Sequence, residues 1–374
     1  MHTPLKLGMV GGGRGAFIGG VHRIASRIDG EWSLVAGALS SDPERAALSA
    51  ADLGIDPARS YSSYAEMAKA EAARPDGIDA VAIVTPNHMH AGPAIAFLEA
   101  GLHVICDKPL AHSLEDAERI AAAVKASGKH FILTHNYTGY PLMRQAREMV
   151  ANGALGTLRF VAVEYIQDWL TEAADPDNKQ AAWRTDPKRS GAGGCVGDIG
   201  THAFNLASFV TGLELERLSA DLTAFVAGRE VDDNVECRFR FKGGAKGTLW
   251  ASQVAVGNEN GLSLRIYGNK GGLEWHQENP NVMSFTPFGE PKQLLTRGGA
   301  QKIGAAQSLR VPPGHPEGYL EGFATVYKDA AALIRGEVEA GKSQAPTIED
   351  GLLGMRFIKA CIDSSAQNGA WINF

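Results

Sequence analysis

The sequence predicts an α/β protein in two parts: a doubly wound parallel sheet, then a mostly antiparallel sheet with helices on one face. Three observations carry this expectation. A short apolar run, "KLGMV" (6–10), enters a glycine-rich stretch, "GGGRGA" (11–16), that opens a helical pattern. The first third of the chain then alternates nearly continuous apolar runs with helical ones, the mark of parallel strands buried on both faces. After Asn136 the alternation stops and strand follows strand, several with period-two patterning. Two domains are expected, 1–136 and 137–374.

Past the glycines, Phe17, Val21, Ile24 and Ile28 recur at i, i+4, i+7 and i+11, the apolar stripe of a first helix. "LVAGAL" (34–39) is a second strand and "AVAIVT" (80–85) a third, followed by a helix over "AGPAIAFLEAG" (91–101). "HVICDK" (103–108) and "HFILTH" (130–135) are the fourth and fifth strands. Between them Ser113 and Asp116 form a capping box for a helix that Gly128 closes. In the second half, "TLRFVAVEYIQDW" (157–169) is a long strand and "THAFNLASFVTG" (201–212) a helix ended by Gly212. "LSADLTAFV", "VECRFRFK", "GTLWASQV" and "LSLRIYG" are further strands. A proline-rich turn, "VPPGHPEGY" (311–319), precedes two closing helices, the last a candidate to pack back on the first domain.

The 374 residues carry 36 Lys and Arg against 42 Asp and Glu, a net charge of −6 with no basic run, so nucleic acid is not an expected partner. No apolar run approaches the ~18 residues of a membrane span, so no membrane partner is expected. The N-terminal stretch lacks the basic and apolar regions of a signal peptide, and the four cysteines form no C-x-x-C pair or disulfide framework. These features lead us to expect a cytoplasmic protein.

The bare backbone after the first strand has a chemical use. Gly11, Gly13 and Ala16 follow the G-x-G-x-x-G/A spacing of a dinucleotide site. Gly11 permits the tight turn, Gly13 lets amides approach a pyrophosphate, and Ala16 lets helix pack on strand. The helix N-terminus adds N–H donors and the positive end of a dipole. Arg14, Phe17 and Asn136 are assigned to the same site. The second strand ends "LSSDPER", with Ser40 and Ser41 at the expected cofactor contacts and Asp42 and Arg45 just beyond. Serines and an arginine suit a 2′-phosphate, whereas Asp42 suits a free ribose. Equally, Ser41-Asp42-Pro43 reads as the cap of the next helix. NAD and NADP both stay open.

Other reactive side chains cluster at strand ends, where open α/β sheets bind ligands. They lie in "TPNHMH" (85–90), "CDKPL" (106–110), "THNY" (134–137) and "GDIGTH" (197–202). Lys108 is a candidate cation beside the nicotinamide. Asp198 and His202, at i and i+4, share a helix face, with His202 in the first turn, where the dipole disfavours an imidazolium. A neutral imidazole is what a general base for a hydroxyl needs, and Asp198 is placed to orient it. The plainer alternative makes Asp198 an N-cap and His202 a packed core residue. No metal is expected, because no third ligand accompanies this pair.

Together "GGGRGAFIG", "TPNHMH", "CDKP" and "WRTDPKRSGAGGCVGDIGTH" (183–202) resemble the Gfo/Idh/MocA oxidoreductases, across essentially the whole chain. The resemblance implies an N-terminal Rossmann domain and a C-terminal α+β domain with an open-faced sheet. It makes Lys108 the lysine of an E-K-P motif in which Asp107 replaces the usual Glu and leaves a shorter carboxylate for the ribose. It also makes Asp198 and His202 a D-x-x-x-H pair with His202 the base, and lines the nicotinamide with Thr85, Pro86, Asn87 and His90. Asn205 stands where the family often has Asp.

The activity implied is hydride transfer between NAD or NADP and a secondary alcohol of a sugar, anhydrosugar or cyclitol. His202 would take the hydroxyl proton and Lys108 would stabilise the alkoxide. Asp168, Trp169, Trp183, Arg184 and His315 are candidate substrate contacts. Two alternatives remain: a glycoside hydrolase that oxidises its sugar transiently, and a non-catalytic nucleotide-binding regulator, which has no need of Lys108, Asp198 and His202. By the same resemblance the sheet of the second domain would form a homodimer or homotetramer.

Overall fold

The computed structural model describes residues 2–173, 178–302 and 308–374. The chain divides into two compact units, Met1–Asn136 with Tyr319–Leu352, and Tyr137–Gly318 with Leu353–Phe374. Among the described residues the strands form one sheet of five and one of nine. No described helix is long and apolar enough to cross a membrane.

The first unit opens with β1 (Leu5–Gly11), α1 (Phe17–Ile28), β2 (Trp32–Ala38), α2 (Pro43–Asp52) and α3 (Tyr64–Ala73). It continues with β3 (Ala80–Val84), α4 (Ala91–Glu99), β4 (His103–Cys106), α5 (Leu114–Ser127) and β5 (Phe131–Leu133). The strands lie in the order β2-β1-β3-β4-β5, all parallel. All of β3 is buried, as expected for a strand covered on both faces. Strand order reverses between β1 and β3, where Gly11 pairs with Val84, so the loops leaving both strands emerge side by side at the carboxyl end of the sheet. An open α/β sheet binds its ligand at such a crevice. The capping expectation for α5 is met: Asp116 N donates to Ser113 Oγ at 3.2 Å and Gly128 closes the helix at φ +64°.

In the second unit α6 (Pro141–Ala151) leads to β6 (Leu158–Ile166), followed by the short helices α7 (Lys179–Arg184) and α8 (Pro187–Ser190) and by α9 (Thr201–Thr211). Then come β7 (Leu215–Thr223), β8 (Asn234–Phe241), β9 (Lys246–Ser252), β10 (Gly261–Gly268), β11 (Gly271–His276), β12 (Val282–Pro287) and β13 (Gln293–Thr296). The chain ends with α10 (Tyr319–Ile334), α11 (Ile348–Ala366) and β14 (Ile372–Asn373). The nine strands run β13-β12-β11-β10-β6-β9-β8-β7-β14, antiparallel throughout except for the parallel pair β6 and β9. Helix α9 packs on β6, β9 and β10, and Phe204 stacks on Phe357 of α11 at 4.4 Å.

Two expectations need correction. The face of α1 that packs inward is Val21, His22 and Ala25, while Phe17, Ile24 and Ile28 are 66%, 44% and 38% exposed. The reason is α10, which the sequence reading put with the second domain and which packs with the first unit. Tyr327 and Phe323 of α10 meet His22, with Tyr327 Oη 2.7 Å from His22 Nδ1, and Trp32 Nε1 donates to Tyr327 O at 2.9 Å. The return to the first unit is thus made by α10 and by the strand-like approach of Thr347 to Ile132, and only the first turn of α11 belongs to that unit.

Candidate active site

In the first unit the loop after β1 uses its glycines in two ways. Gly11, Gly12 and Gly15 have φ of +79°, +71° and +76°, which side chains disfavour. Gly13 is there for space, since a Cβ would lie 2.6 Å from Leu39 O. The close helix-to-loop approach comes at Gly19, whose Cβ would lie 2.4 Å from Gly12 Cα, whereas Ala16 is the N-cap residue. That helix end has no side-chain cap and no acidic residue in its first turn, so its amide donors suit an anion. A cavity of about 390 Å³ there is lined by Gly12, Gly13, Gly15, Arg14, Ala16 and Phe17 among others. This cradle fits a dinucleotide diphosphate.

The residues past β2 serve the loop and helix. Asp42 caps α2, accepting from Arg45 N at 2.8 Å, and Ser40 Oγ accepts from Asp42 N at 3.1 Å. The Arg45 guanidinium donates to Arg14 O, and Arg14 pairs with Asp52, its Nη2 at 2.7 Å from Oδ1. Ser41 is exposed. Of the two readings of this segment, the cap is what the structure contains.

Lys108 follows β4 directly, on a turn built by its neighbours. Asp107 Oδ1 accepts from Lys108 N at 2.9 Å and from Thr134 Oγ1, past β5, at 3.0 Å. The Lys108-Pro109 peptide is cis. His90 is fully buried, with Nδ1 2.9 Å from Pro109 O and Nε2 2.9 Å from Thr85 O, so it ties the loop after β3 to the Lys108 turn rather than facing a ligand. Burial lowers its pKa. Thr85 Oγ1 donates to Met89 O at 3.1 Å, and Asn87 is buried in the short turn behind Pro86. His135, beside the Lys108 charge, is pushed down to about 3, chiefly by burial. Asn136 Nδ2 is buried and has no acceptor among the described residues, an orphaned donor that fits a polar ligand.

In the second unit Asp198 and His202 do not share one α-helix. Val196–Gly200 is a π turn, closed by Thr201 N to Val196 O, and His202 begins α9 beyond it. Nor is Asp198 a cap. Its Oδ2 accepts from Gln253 Nε2 at 2.9 Å and from Arg184 Nε at 3.2 Å. Arg184 also reaches Gln180 Oε1 at 2.7 Å and lies over the rings of Trp183 and Trp169 at 4.3 and 5.9 Å. The structure therefore unites four residues that the sequence offered separately: Asp198, Arg184, Trp183 and Trp169.

His202 is buried, edge-on to Tyr137 at 5.0 Å between ring centroids. Behind it Tyr137 and Tyr165 share a hydroxyl contact of 2.6 Å, Tyr165 Oη donates to Asn260 Oδ1 at 2.8 Å, and Gln167 Nε2 donates to the same oxygen at 2.8 Å. Trp169 Nε1 closes the row on Gln167 Oε1 at 3.1 Å. Sequence reasoning missed Tyr165, Gln167, Gln253 and Asn260, although period two on β6 aligns Tyr165 with the buried Val163. Two candidates fall elsewhere. Asp168 accepts from Gly257 N at 2.9 Å, and His315 is exposed, its carbonyl accepting from Arg297 at 2.7 Å. Among the described residues no group of three or more metal-ligating side chains exists.

A parallel sheet with a glycine cradle at its switch point defines a doubly wound nucleotide-binding protein. Family comparison gives the particular class. Residues 5–135 match the oxidoreductase family with an NAD-binding Rossmann fold, and residues 143–274 match the GFO/IDH/MocA C-terminal domain. The chain belongs to the Gfo/Idh/MocA oxidoreductase family and binds NAD. An oxidoreductase from Sinorhizobium meliloti is 54% identical, with a TM-score of 0.90 over 99% of this chain and 100% of its own. An inositol dehydrogenase homolog from Azotobacter vinelandii, complexed with NADH and myo-inositol, is 36% identical, with a TM-score of 0.92 over 100% of this chain and 98% of its own. Levoglucosan dehydrogenase from Pseudarthrobacter phenanthrenivorans is 29% identical over 99% of this chain and 98% of its own.

Proposed function

We propose that this protein is an NAD-dependent dehydrogenase acting on a secondary alcohol of a sugar, anhydrosugar or cyclitol. The observation that carries the reading is the buried His202, one turn from an Asp198 held by both Arg184 and Gln253. The inositol dehydrogenase homolog complexed with NADH and myo-inositol and the levoglucosan dehydrogenase support the substrate class.

The loop of Gly11, Gly13 and Ala16 and the start of α1 would hold the diphosphate, and Asp107 with Thr85, Pro86 and Asn87 the nicotinamide half. NAD, when bound, supplies the hydride acceptor. The chain's own work is on the hydroxyl. His202 accepts its proton through a ring nitrogen, and Asp198, balanced by Arg184, favours the imidazolium that results. Lys108, the lysine of the E-K-P motif by the family resemblance, is assigned the role of the cation that stabilises the developing negative charge. Trp169 and Trp183 offer aromatic faces to the apolar side of a sugar ring.

A homodimer or homotetramer through the nine-stranded sheet is part of the proposal. Phe160 and Tyr267 are cross-strand partners on β6 and β10 and both are exposed, as is Trp250 on the adjoining β9, and a contiguous exposed apolar patch marks an interface. Light scattering that finds a monomer rejects it. A cytoplasmic location agrees with four buried, unpaired cysteines.

The decisive assay follows nicotinamide absorbance with NAD over a panel of free sugars, cyclitols and aryl glycosides. Reduction by one polyol, lost in Lys108→Ala and His202→Ala while NAD binding persists, is the expected result. Full turnover in either variant refutes the role given to that residue. Release of aglycone without net reduction replaces the dehydrogenase by a hydrolase.

A further inference from the structure

The run "SGAGGCVGD" (190–198) ends in the π turn that carries Asp198, and the start of that turn lacks a local cap. Its amides are satisfied from a distant part of the chain. Asp232, two residues before β8, accepts from Gly194 N through Oδ1 and from Val196 N through Oδ2, both at 2.7 Å. Between them Cys195 N donates to the Asp232 main-chain oxygen at 2.8 Å. One residue thus holds three successive amides.

We propose that Asp232 is a positioning residue, which sets the turn presenting Asp198 and His202 by clamping the amides of residues 194–196. The inference rests on the functional reading above, in which those two side chains handle the proton.

Three features support it. The glycines have a steric purpose here: a Cβ on Gly194 would lie 2.2 Å from Asp232 O, and one on Gly193 would lie 2.5 Å from Val196 Cγ1. Neither glycine has positive φ, so close approach to the clamp is what each residue allows. Second, the clamp extends to Asp198 itself. Asp233 O accepts from Gln253 N at 2.9 Å, and Gln253 Nε2 reaches Asp198 Oδ2, while Asp198 N donates to Gly194 O at 2.9 Å. The dipeptide 232–233 therefore fixes both the turn and the amide that holds Asp198. Third, Asp232 is buried, and burial pushes its carboxyl up to about 6 against the two amides that favour the charged form. A local Ser or Asn cap would satisfy a helix start without burying a carboxylate. A bidentate clamp gives the turn a single geometry, which a proton-transfer site requires.

The test compares wild type with Asp232→Asn, which keeps the shape but sets an NH2 against one amide. In this variant, hydrogen exchange at amides 194–196 should quicken roughly tenfold or more with little change elsewhere. NAD affinity by fluorescence titration should hold, while kcat falls about 10²-fold and KM changes little. A residue that merely stabilises the fold would lower the melting temperature and leave kcat and KM of the folded enzyme alone, and that result overturns the proposal. Gly194→Ala reaches the same clamp from the other side and should reproduce the split. If neither variant folds, Asp232 serves the fold and the proposal falls. Wild type that reduces no cofactor with any polyol refutes the functional reading instead, whereas fast exchange at 194–196 in wild type refutes the clamp itself.

Discussion

Asp198 Oδ2 accepts two hydrogen bonds, from Arg184 Nε at 3.2 Å and from Gln253 Nε2 at 2.9 Å, so a cation and an amide share one carboxylate oxygen. Arg184 is bound on its other side to Gln180 Oε1 at 2.7 Å, and its plane covers Trp183. Losing a charge-assisted bond costs about 1.5–3 kcal/mol, or roughly 10- to 100-fold in rate where the bond orients a catalytic group. Arg184→Ala should lower kcat by that factor and leave NAD affinity unchanged. Arg184→Lys keeps the charge but loses the Nε donor and the stacking plane, so it should recover only part. Steady-state kinetics decide the matter, and an unaltered kcat in Arg184→Ala makes the ion pair a surface feature.

The cradle gives a paired prediction at adjacent glycines. A Cβ on Gly19 would lie 2.4 Å from Gly12 Cα, whereas on Gly20 the nearest atom is Arg23 Nη2 at 3.9 Å. Gly19→Ala must push α1 off the loop, with about 1–3 kcal/mol of lost stability from overpacking and weakened NAD binding. Gly20→Ala adds only helix propensity and should be neutral or stabilising, by up to about 1 kcal/mol. Thermal melting with and without NAD separates the two. Equal behaviour of the variants would mean that the loop does not depend on that contact.

What the sequence made legible was local, and what it hid was distant. The glycine spacing after a strand, the Ser113 cap, the strand-end position of Lys108 and the helix-start position of His202 are short-range patterns. The structure contains each of them, whereas among the described residues no strand leads into 197–202. The face of α1 was misread because its cover, Tyr327 and Phe323, lies about three hundred residues along the chain. Gln253, 55 residues from Asp198, and Asp232 were invisible for the same reason. No periodicity announces that a strand-end glutamine or aspartate will meet a helix start. The π turn broke the i, i+4 inference in a different way, since spacing presumes an α-helix where the clamped amides impose another winding.

Asp42 separates capping from cofactor recognition. Its Oδ1 accepts from Arg45 N at 2.8 Å at the start of α2. Asp42→Ser preserves an N-cap, so stability should hold, while Asp42→Ala should lose about 1 kcal/mol. If the carboxylate serves only the helix, both variants keep the KM for NAD of wild type. A rise of KM in Asp42→Ser, without loss of stability, would assign the carboxylate to the ribose after all.

His22 should make the first unit sensitive to acid. Its ring is fully buried between α1 and α10, with Nδ1 2.7 Å from Tyr327 Oη, and burial pushes its pKa down to about 4. The folded state therefore holds a proton less readily than the unfolded chain, whose histidine titrates near ~6.5. The resulting stability is present in full above ~6.5 and is lost as the pH falls through that value towards about 4. Integrated from neutrality to pH ~4, the loss is about 3 kcal/mol. His22→Asn places a neutral amide near Nδ1, so it should be less stable than wild type at neutral pH and close most of that gap in acid. His135 titrates with the same sign, but it is present in both proteins and cancels in the difference. Urea unfolding at the two pH values measures this directly. A wild-type-minus-variant difference independent of pH would show that the buried imidazole finds a way to hold its proton, and that α10 yields to let it.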